Sequence, residues 1–166
     1  MEISNLYKEL VPKVYQLEKN CYPNEFFSTI EINSYITDFS KKGLVVIDED
    51  FLIGYALVLN DEFEMEVRIG IHEQYRRLKH ATRLLTQIKS KLHPGKSVLK
   101  CWVPETNLEG HLFLQANGFI CSKTDSRHYK RRQTGGYMFI YRWEWGLTEK
   151  NGLYIPEELA LGIEAI

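Results

Sequence analysis

Apolar side chains recur at every second position in Met65, Val67, Ile69 and Ile71, the period of a strand with one buried face. From Leu78 the spacing lengthens. Leu78, Ala81, Leu84, Leu85, Ile88 and Leu92 follow the ~3.6-residue period of a helix with an apolar stripe. A basic turn, Gln74-Tyr75-Arg76-Arg77-Leu78-Lys79-His80-Ala81, joins the two. Upstream, Ile3, Leu6, Leu10, Val14 and Leu17 predict a helix from about Ile3 to Asn20, kinked or divided at Pro12. Ser28-Thr29 followed by Glu31 caps a second helix running to about Phe39. Leu44–Asp48 and Phe51–Leu59 are β-branched runs joined by Glu49-Asp50, a hairpin signal. Downstream, His93-Pro94-Gly95 stops the central helix. Ser97–Val103 is a strand, Thr106–Asn117 a short helix with Thr106 as its cap, and Phe119–Ser122 and Tyr137–Trp145 the last strands. The order predicts an α+β fold with a mixed, mostly antiparallel twisted sheet flanked by helices.

Charge changes the picture at one place. No Asp or Glu occurs from Gln74 to Pro104, while Arg76, Arg77, Lys79 and Arg83 crowd the start of the central helix. Cations oppose the helix dipole there, so the turn is either a solvated basic segment or one that keeps its amides and cations for an outside anion. Phosphate is the chemistry it suggests. Over the whole chain of 166 residues the formal net charge is -1, so any electrostatic partner must be met by a local patch. Hydrophobic residues at 44% fit one soluble domain with a sizeable core. Cys21, Cys101 and Cys121 form no CxxC pair, which fits a reducing, cytoplasmic setting. Phe51–Leu59 is too short an apolar run to span a bilayer. The histidines have no metal-ligand spacing, so no metal is expected.

Two segments in this order resemble the GNAT superfamily of acyl-CoA N-acyltransferases. Arg76-Arg77-Leu78-Lys79-His80-Ala81 is similar to its Q/R-x-x-G-x-G/A turn, whose amides cradle the coenzyme A pyrophosphate. Val103 to Phe119 is similar to its V-x-x-x-N-x-x-A-x-x-L/F-Y-x-x-x-G-F run, with Asn107, Gly110, Phe113, Gly118 and Phe119 on the marked positions. Lys79 stands where the turn has its first glycine, and Leu114 where members often carry a tyrosine that protonates the leaving thiolate. The resemblance implies the GNAT fold from about Ile3 to Trp145. It implies acetyl-CoA as co-substrate and transfer of its acetyl group to an amine of a small molecule or protein. Arg76, Arg77, Lys79, His80, Ala81 and Thr82 would hold the phosphates. The backbone of Ile69, Gly70 and Ile71 would pair with the pantetheine arm, and Asn107 would contact that arm or simply bond its own helix start.

The family's strand carboxylate, which takes the amine proton, has two counterparts, Glu64 and Glu66. Both lie on the face opposite Met65 and Val67, as solvent-facing side chains or as a base. Glu66 is the expected base because it lies nearer the reaction centre, although a bulge is needed to match the common register. Tyr129, or Tyr137, is the expected replacement for the missing acid. The alternatives are a non-catalytic GNAT-like scaffold in a protein assembly, or a nucleic-acid-directed enzyme using the basic connection Thr124–Gly136 with Arg127, His128, Lys130, Arg131 and Arg132. Residues 1–146 are expected to form the domain. Residues 147–166 follow it, with Leu153, Tyr154, Ile155, Leu159, Leu161, Ile163 and Ile166 too apolar for a free end. This tail is expected to start a helix at Pro156-Glu157-Glu158 and to dock on a partner, a second copy or a larger assembly.

Overall fold

The computed structural model describes residues 1–130, 134–150 and 153–156. Seven strands form one sheet in the order β1-β2-β3-β4-β5-β7-β6: β1 Glu2–Asn5, β2 Lys41–Asp48, β3 Phe51–Asn60, β4 Glu64–Ile71, β5 Val98–Pro104, β6 Ile120–Tyr129 and β7 Thr134–Arg142. Every neighbouring pair is antiparallel except β4 with β5. The chain leaves β4, crosses through α3 (His80–Lys89) and returns beside it, the connection a parallel pair requires. The expected α+β sheet is therefore present.

Each face of the sheet carries its own core. Met65, Val67 and Ile71 of β4 turn to one face with Leu84, Leu85 and Ile88 of α3 and Leu114 of α4 (Leu108–Ala116). On the other face Val45, Tyr55 and Leu57 pack against Leu10, Val14 and Leu17 near or on α1 (Val11–Cys21) and Ile32 of α2 (Thr29–Thr37). The period-2 reading of β4 thus holds, and Glu64, Glu66 and Arg68 face α1 and α2. Ser28 caps α2 in a full capping box with Glu31. The Glu49-Asp50 hairpin forms with Asp48 opposite Phe51.

Several boundaries differ from the sequence reading. Glu2–Asn5 is not helical: it adds to the sheet beside β2, with Ile3 opposite Val46. The helix starts at Val11, which puts Pro12 in its first turn, where a missing N–H costs nothing, so there is no kink. Leu78 lies exposed outside α3. Asn107, not Thr106, caps α4, its side-chain oxygen accepting from the Gly110 N–H at 3.0 Å. Most of Thr124–Gly136 is not a loop, because β6 and β7 pair from Ile120 with Ile140 to Tyr129 with Thr134. Arg131 and Arg132 lie outside the described residues. Polar, exposed side chains along β6 hid the strand, since an edge strand needs no buried face.

Beyond Arg142 the backbone makes a separate two-stranded sheet, Leu147–Lys150 (β8) with Leu153–Pro156 (β9). The expected helix start at Pro156-Glu157-Glu158 falls largely outside the described residues. Docking of residues 147–166 on a second chain is our proposal. A chain ending at Gly146 is expected to keep the melting temperature of the full chain while losing its assembly in sedimentation. A collapsed melt at unchanged mass would make the tail part of the domain core.

Candidate active site

Strands β4 and β5 share only the pairs Glu64–Val98, Met65–Leu99 and Glu66–Lys100. Beyond Glu66 and Lys100 both strands continue but part. The divergence opens a cleft of about 800 Å³ between Ile69, Gly70 and Ile71 on one side and Cys101, Trp102, Val103 and Pro104 on the other. The end of α1 closes its flank. The Tyr22 hydroxyl donates to the Ile69 carbonyl at 2.9 Å, and Arg76 Nε donates to the Ile71 carbonyl at 3.2 Å. Cys21 Sγ lies 3.7 Å from the same Ile71 oxygen. These carbonyls face the cleft because the alternate residue, Gly70, sits opposite Tyr55 across β3. A methyl on Gly70 would come within 2.4 Å of the Tyr55 ring, so only glycine allows this approach.

What holds the flank is a buried ion pair. Glu18 of α1 is fully buried and meets Arg68 of β4 at 2.6 Å. The same carboxylate accepts from the Tyr55 hydroxyl and, at 3.0 Å, from the Phe27 N–H. Arg68 also donates to the Glu25 carbonyl at 2.5 Å. Its guanidinium lies 3.6 Å from the Tyr22 ring centre and 4.4 Å from that of Phe27. Burial pushes the Tyr55 and Tyr22 hydroxyls well up, so both stay protonated donors at neutral pH.

The basic turn forms the far end of the cleft. Arg77 and Lys79 both adopt φ 63°, the left-handed conformation that costs a residue with a Cβ about 1–2 kcal/mol. Lys79 is the N-cap of α3, yet its side chain makes no capping bond, and the first turn holds no acid. The first amides of α3 have no acceptor within the helix and, with Arg76, Arg77 and Lys79 on the same lining, suit an anion. His80, at 5% exposure, lines the same end with neither ring nitrogen hydrogen-bonded among the described residues. Arg77 is paired at 2.7 Å with Glu109 of α4, both highly exposed. The donor set fits a di- or polyphosphate.

At the opposite end the groups are mainly aromatic. Tyr129, 4% exposed, lines the cleft, and burial holds its hydroxyl well above the usual phenol range. Trp102 stacks on His128 at 3.7 Å with 10° between ring planes, and Tyr129 stands edge-on to His128 at 4.8 Å. Half-buried Glu66 sits where the strands part. Burial raises its carboxyl pKa, opposed chiefly by the Lys100 charge. Glu64, by contrast, is tied to the Lys100 ammonium. Burial pushes the Cys101 thiol up to about 12, leaving almost no thiolate nucleophile at neutral pH. Leu114 is buried in the wall, where it can donate nothing.

The structure brings Ile69, Gly70, Ile71, Arg76, Arg77, Lys79, His80, Ala81, Thr82, Asn107 and Tyr129 around this one cleft. Glu66 is not on the lining; it is the last β4 residue paired with β5, where the strands part, and β4 pairs with β3 without the register shift that a bulge would give. Asn107 lines the cleft while its side-chain oxygen caps α4, so the helix-start role is real. Sequence reading missed Tyr22, Glu18, Arg68 and Trp102. The signals were slight: an ionisable residue on each apolar-patterned element, and an aromatic ending a helix. Among the described residues no cluster of His, Cys, Asp or Glu could hold a metal ion, and no helix is long and apolar enough to cross a membrane.

Comparison with known proteins agrees with this architecture. The acetyltransferase (GNAT) family model matches residues 11–119, and the chain belongs to that family. The Escherichia coli ribosomal-protein-S18-alanine N-acetyltransferase superposes with a TM-score of 0.74 at 16% identity, covering 93% of this chain and 99% of that one. Arabidopsis thaliana NAA60 in complex with acetyl-CoA gives 0.76 at 13% identity, covering 85% and 97%. An aminoglycoside 6'-N-acetyltransferase complexed with coenzyme A gives 0.70 at 14%, covering 86% and 97%. Identities this low show the fold alone. A comparison with curated protein sequences finds no significant match.

Lys79 generates a stability prediction. Lys79→Gly is expected to raise stability by about 0.5–1 kcal/mol, the relief of left-handed strain less the added freedom of the unfolded chain. Denaturant melts read this directly. An unchanged or lower stability would mean that the lysine side chain contributes more than its strain costs.

Proposed function

We propose that the protein is an acetyl-CoA-dependent N-acetyltransferase. The observation that carries this reading is the parting of β4 and β5 beyond Glu66, with a cationic helix start at one end of the cleft and an ionisable pair, Glu66 and Tyr129, toward the other. The β4 edge that β5 no longer pairs suits an extended amide-bearing arm, which can join the sheet as an added strand. Arg76, Arg77, Lys79 and the α3 amides would hold the phosphates, with His80, Ala81 and Thr82 lining the same end. Ile69, Gly70 and Ile71 would flank the arm, and Asn107 would stand across from them. Family membership supports the same assignment, as do neighbours solved with acetyl-CoA or coenzyme A.

Amines are protonated at neutral pH, so a proton must leave before attack. Glu66 takes it, directly or through a water. The nitrogen then forms its bond to the thioester carbonyl carbon, the C–S bond breaks, and Tyr129 gives its proton to the departing thiolate. The nitrogen's second proton passes to the Tyr129 oxygen, directly or through water, which leaves a neutral amide, and Glu66 releases its proton to solvent. A raised Glu66 pKa makes the carboxylate a better base, while the buried Tyr129 hydroxyl is still protonated when the thiolate forms. With almost no thiolate at Cys101, direct transfer is favoured over an acyl route through that cysteine.

Two measurements test the reading. Millimolar acetyl-CoA is expected to raise the melting temperature, since a ligand at 100-fold its Kd adds about 2.7 kcal/mol, and Arg76→Ala should reduce the shift. No shift at any concentration would favour a non-catalytic scaffold. Glu66→Gln is expected to lower kcat by roughly 10²–10⁴. In the parent enzyme the rate should climb with pH through the raised Glu66 value, because only the ionised form accepts a proton. The variant should lose this limb. An unaltered rate would remove Glu66 from the mechanism.

A further inference from the structure

The acceptor end of the cleft has a composition that limits what can bind there. Its walls are aromatic and apolar: Tyr22 and Pro23 from the α1 side face the cleft along with Trp102 and Tyr129. Trp102 is held flat by its stack on His128, and Tyr129 buttresses His128 edge-on, so this wall is a supported platform. Negative charge is scarce by comparison. Glu18 is committed to Arg68 and Tyr55, and Glu64 to Lys100. Glu109 lines the far end against Arg77, and Glu25 on the lining has a partner of its own, so the carboxylate that remains is Glu66, where β4 and β5 part. The Glu66 side chain has no hydrogen bond or ion pair among the described residues. Arg68 and Lys100 bring two cations to the same region, each close enough to bear on Glu66.

A polycation needs a row of uncommitted carboxylates, because each further ammonium left beside a cation and without a partner is repelled and desolvated. A single ammonium needs one carboxylate, and an apolar body next to it gains by covering the aromatic platform. We propose that the acceptor is a singly charged primary amine carried on a bulky apolar group, seated on Trp102 with its nitrogen directed to Glu66. This rests on the N-acetyltransferase reading above. An arylalkylamine and a peptide whose first residue is large and apolar both present this chemistry.

The full chain, saturated with acetyl-CoA, is assayed by release of coenzyme A thiol with five acceptors: 2-phenylethylamine, the tripeptide amide Phe-Ala-Ala, ethylamine, spermidine and kanamycin. The expected result is a kcat/KM for 2-phenylethylamine or the tripeptide at least tenfold above the other three. Whichever of the two is better identifies a small amine or a chain N-terminus as the source. Trp102→Ala should lower that preferred rate about tenfold through KM, with Trp102→Phe restoring most of it. The acetyl-CoA melting shift should persist in both variants, which separates a lost acceptor platform from a lost fold. Spermidine or kanamycin used as well as the apolar amines, ethylamine equal to 2-phenylethylamine, or turnover of none of the five would overturn the proposal. If acetyl-CoA still shifts the melt while the polycations are preferred, only the acceptor class fails. If that shift is absent as well, the enzyme reading fails with it.

Discussion

The ion pair between Glu18 and Arg68 is the interaction on which the arrangement of the cleft depends. A carboxylate with no exposure is tolerable only with a cation and with its remaining lone pairs satisfied. Glu18 has both, through Arg68, Tyr55 and the Phe27 N–H. Breaking such a pair from one side costs about 3–5 kcal/mol, so α1 and β4 are held in fixed relation. That relation puts Tyr22 over the Ile69 carbonyl and the following loop over Arg68. The flank of the cleft is therefore anchored by charge as well as by apolar packing. Gly70 belongs to the same construction, since the Tyr55 ring that serves Glu18 occupies the space a Cβ would need.

The two ends of the cleft are built on different physical terms. At the α3 end cations sit against the positive end of a helix, in a turn with two left-handed residues. That arrangement is unfavourable in isolation and gains when an anion arrives. At the β5 end ionisable groups are buried among aromatics, which displaces their proton affinities instead of concentrating charge. An elongated molecule with an anionic head and a neutral reactive tail matches the gradient between the two.

The elements legible in the sequence were those with an internal period or a cap. β4 declared its buried face through Met65, Val67 and Ile71, α2 its start through Ser28 and Glu31, and α3 its core stripe through Leu84, Leu85 and Ile88. The cationic end of the cleft was legible too, because it lies on a contiguous turn. The other end was not, because its parts come from separate elements. Trp102 and His128 are distant in sequence and meet only through the pairing of β5, β7 and β6. Arg68 alternates with the apolar positions of β4, and nothing local shows that Glu18 lies above it. Glu2–Asn5 misled for a related reason: its spacing suited a helix, and the unpaired edge of β2 decided otherwise.

Strand β6 is the last strand of the sheet, and among the described residues its backbone on one side has no neighbour in that sheet. Such an edge invites another chain to continue the ladder. Here Lys123, Asp125 and Arg127 alternate in sign along an almost wholly exposed strand, and the register slips between Asp125 and Tyr129. A second copy aligned on this edge would have to accommodate those charges and the irregularity together. Growth of the sheet from molecule to molecule is thereby discouraged at its longest open margin, and self-association through another surface need not compete with it.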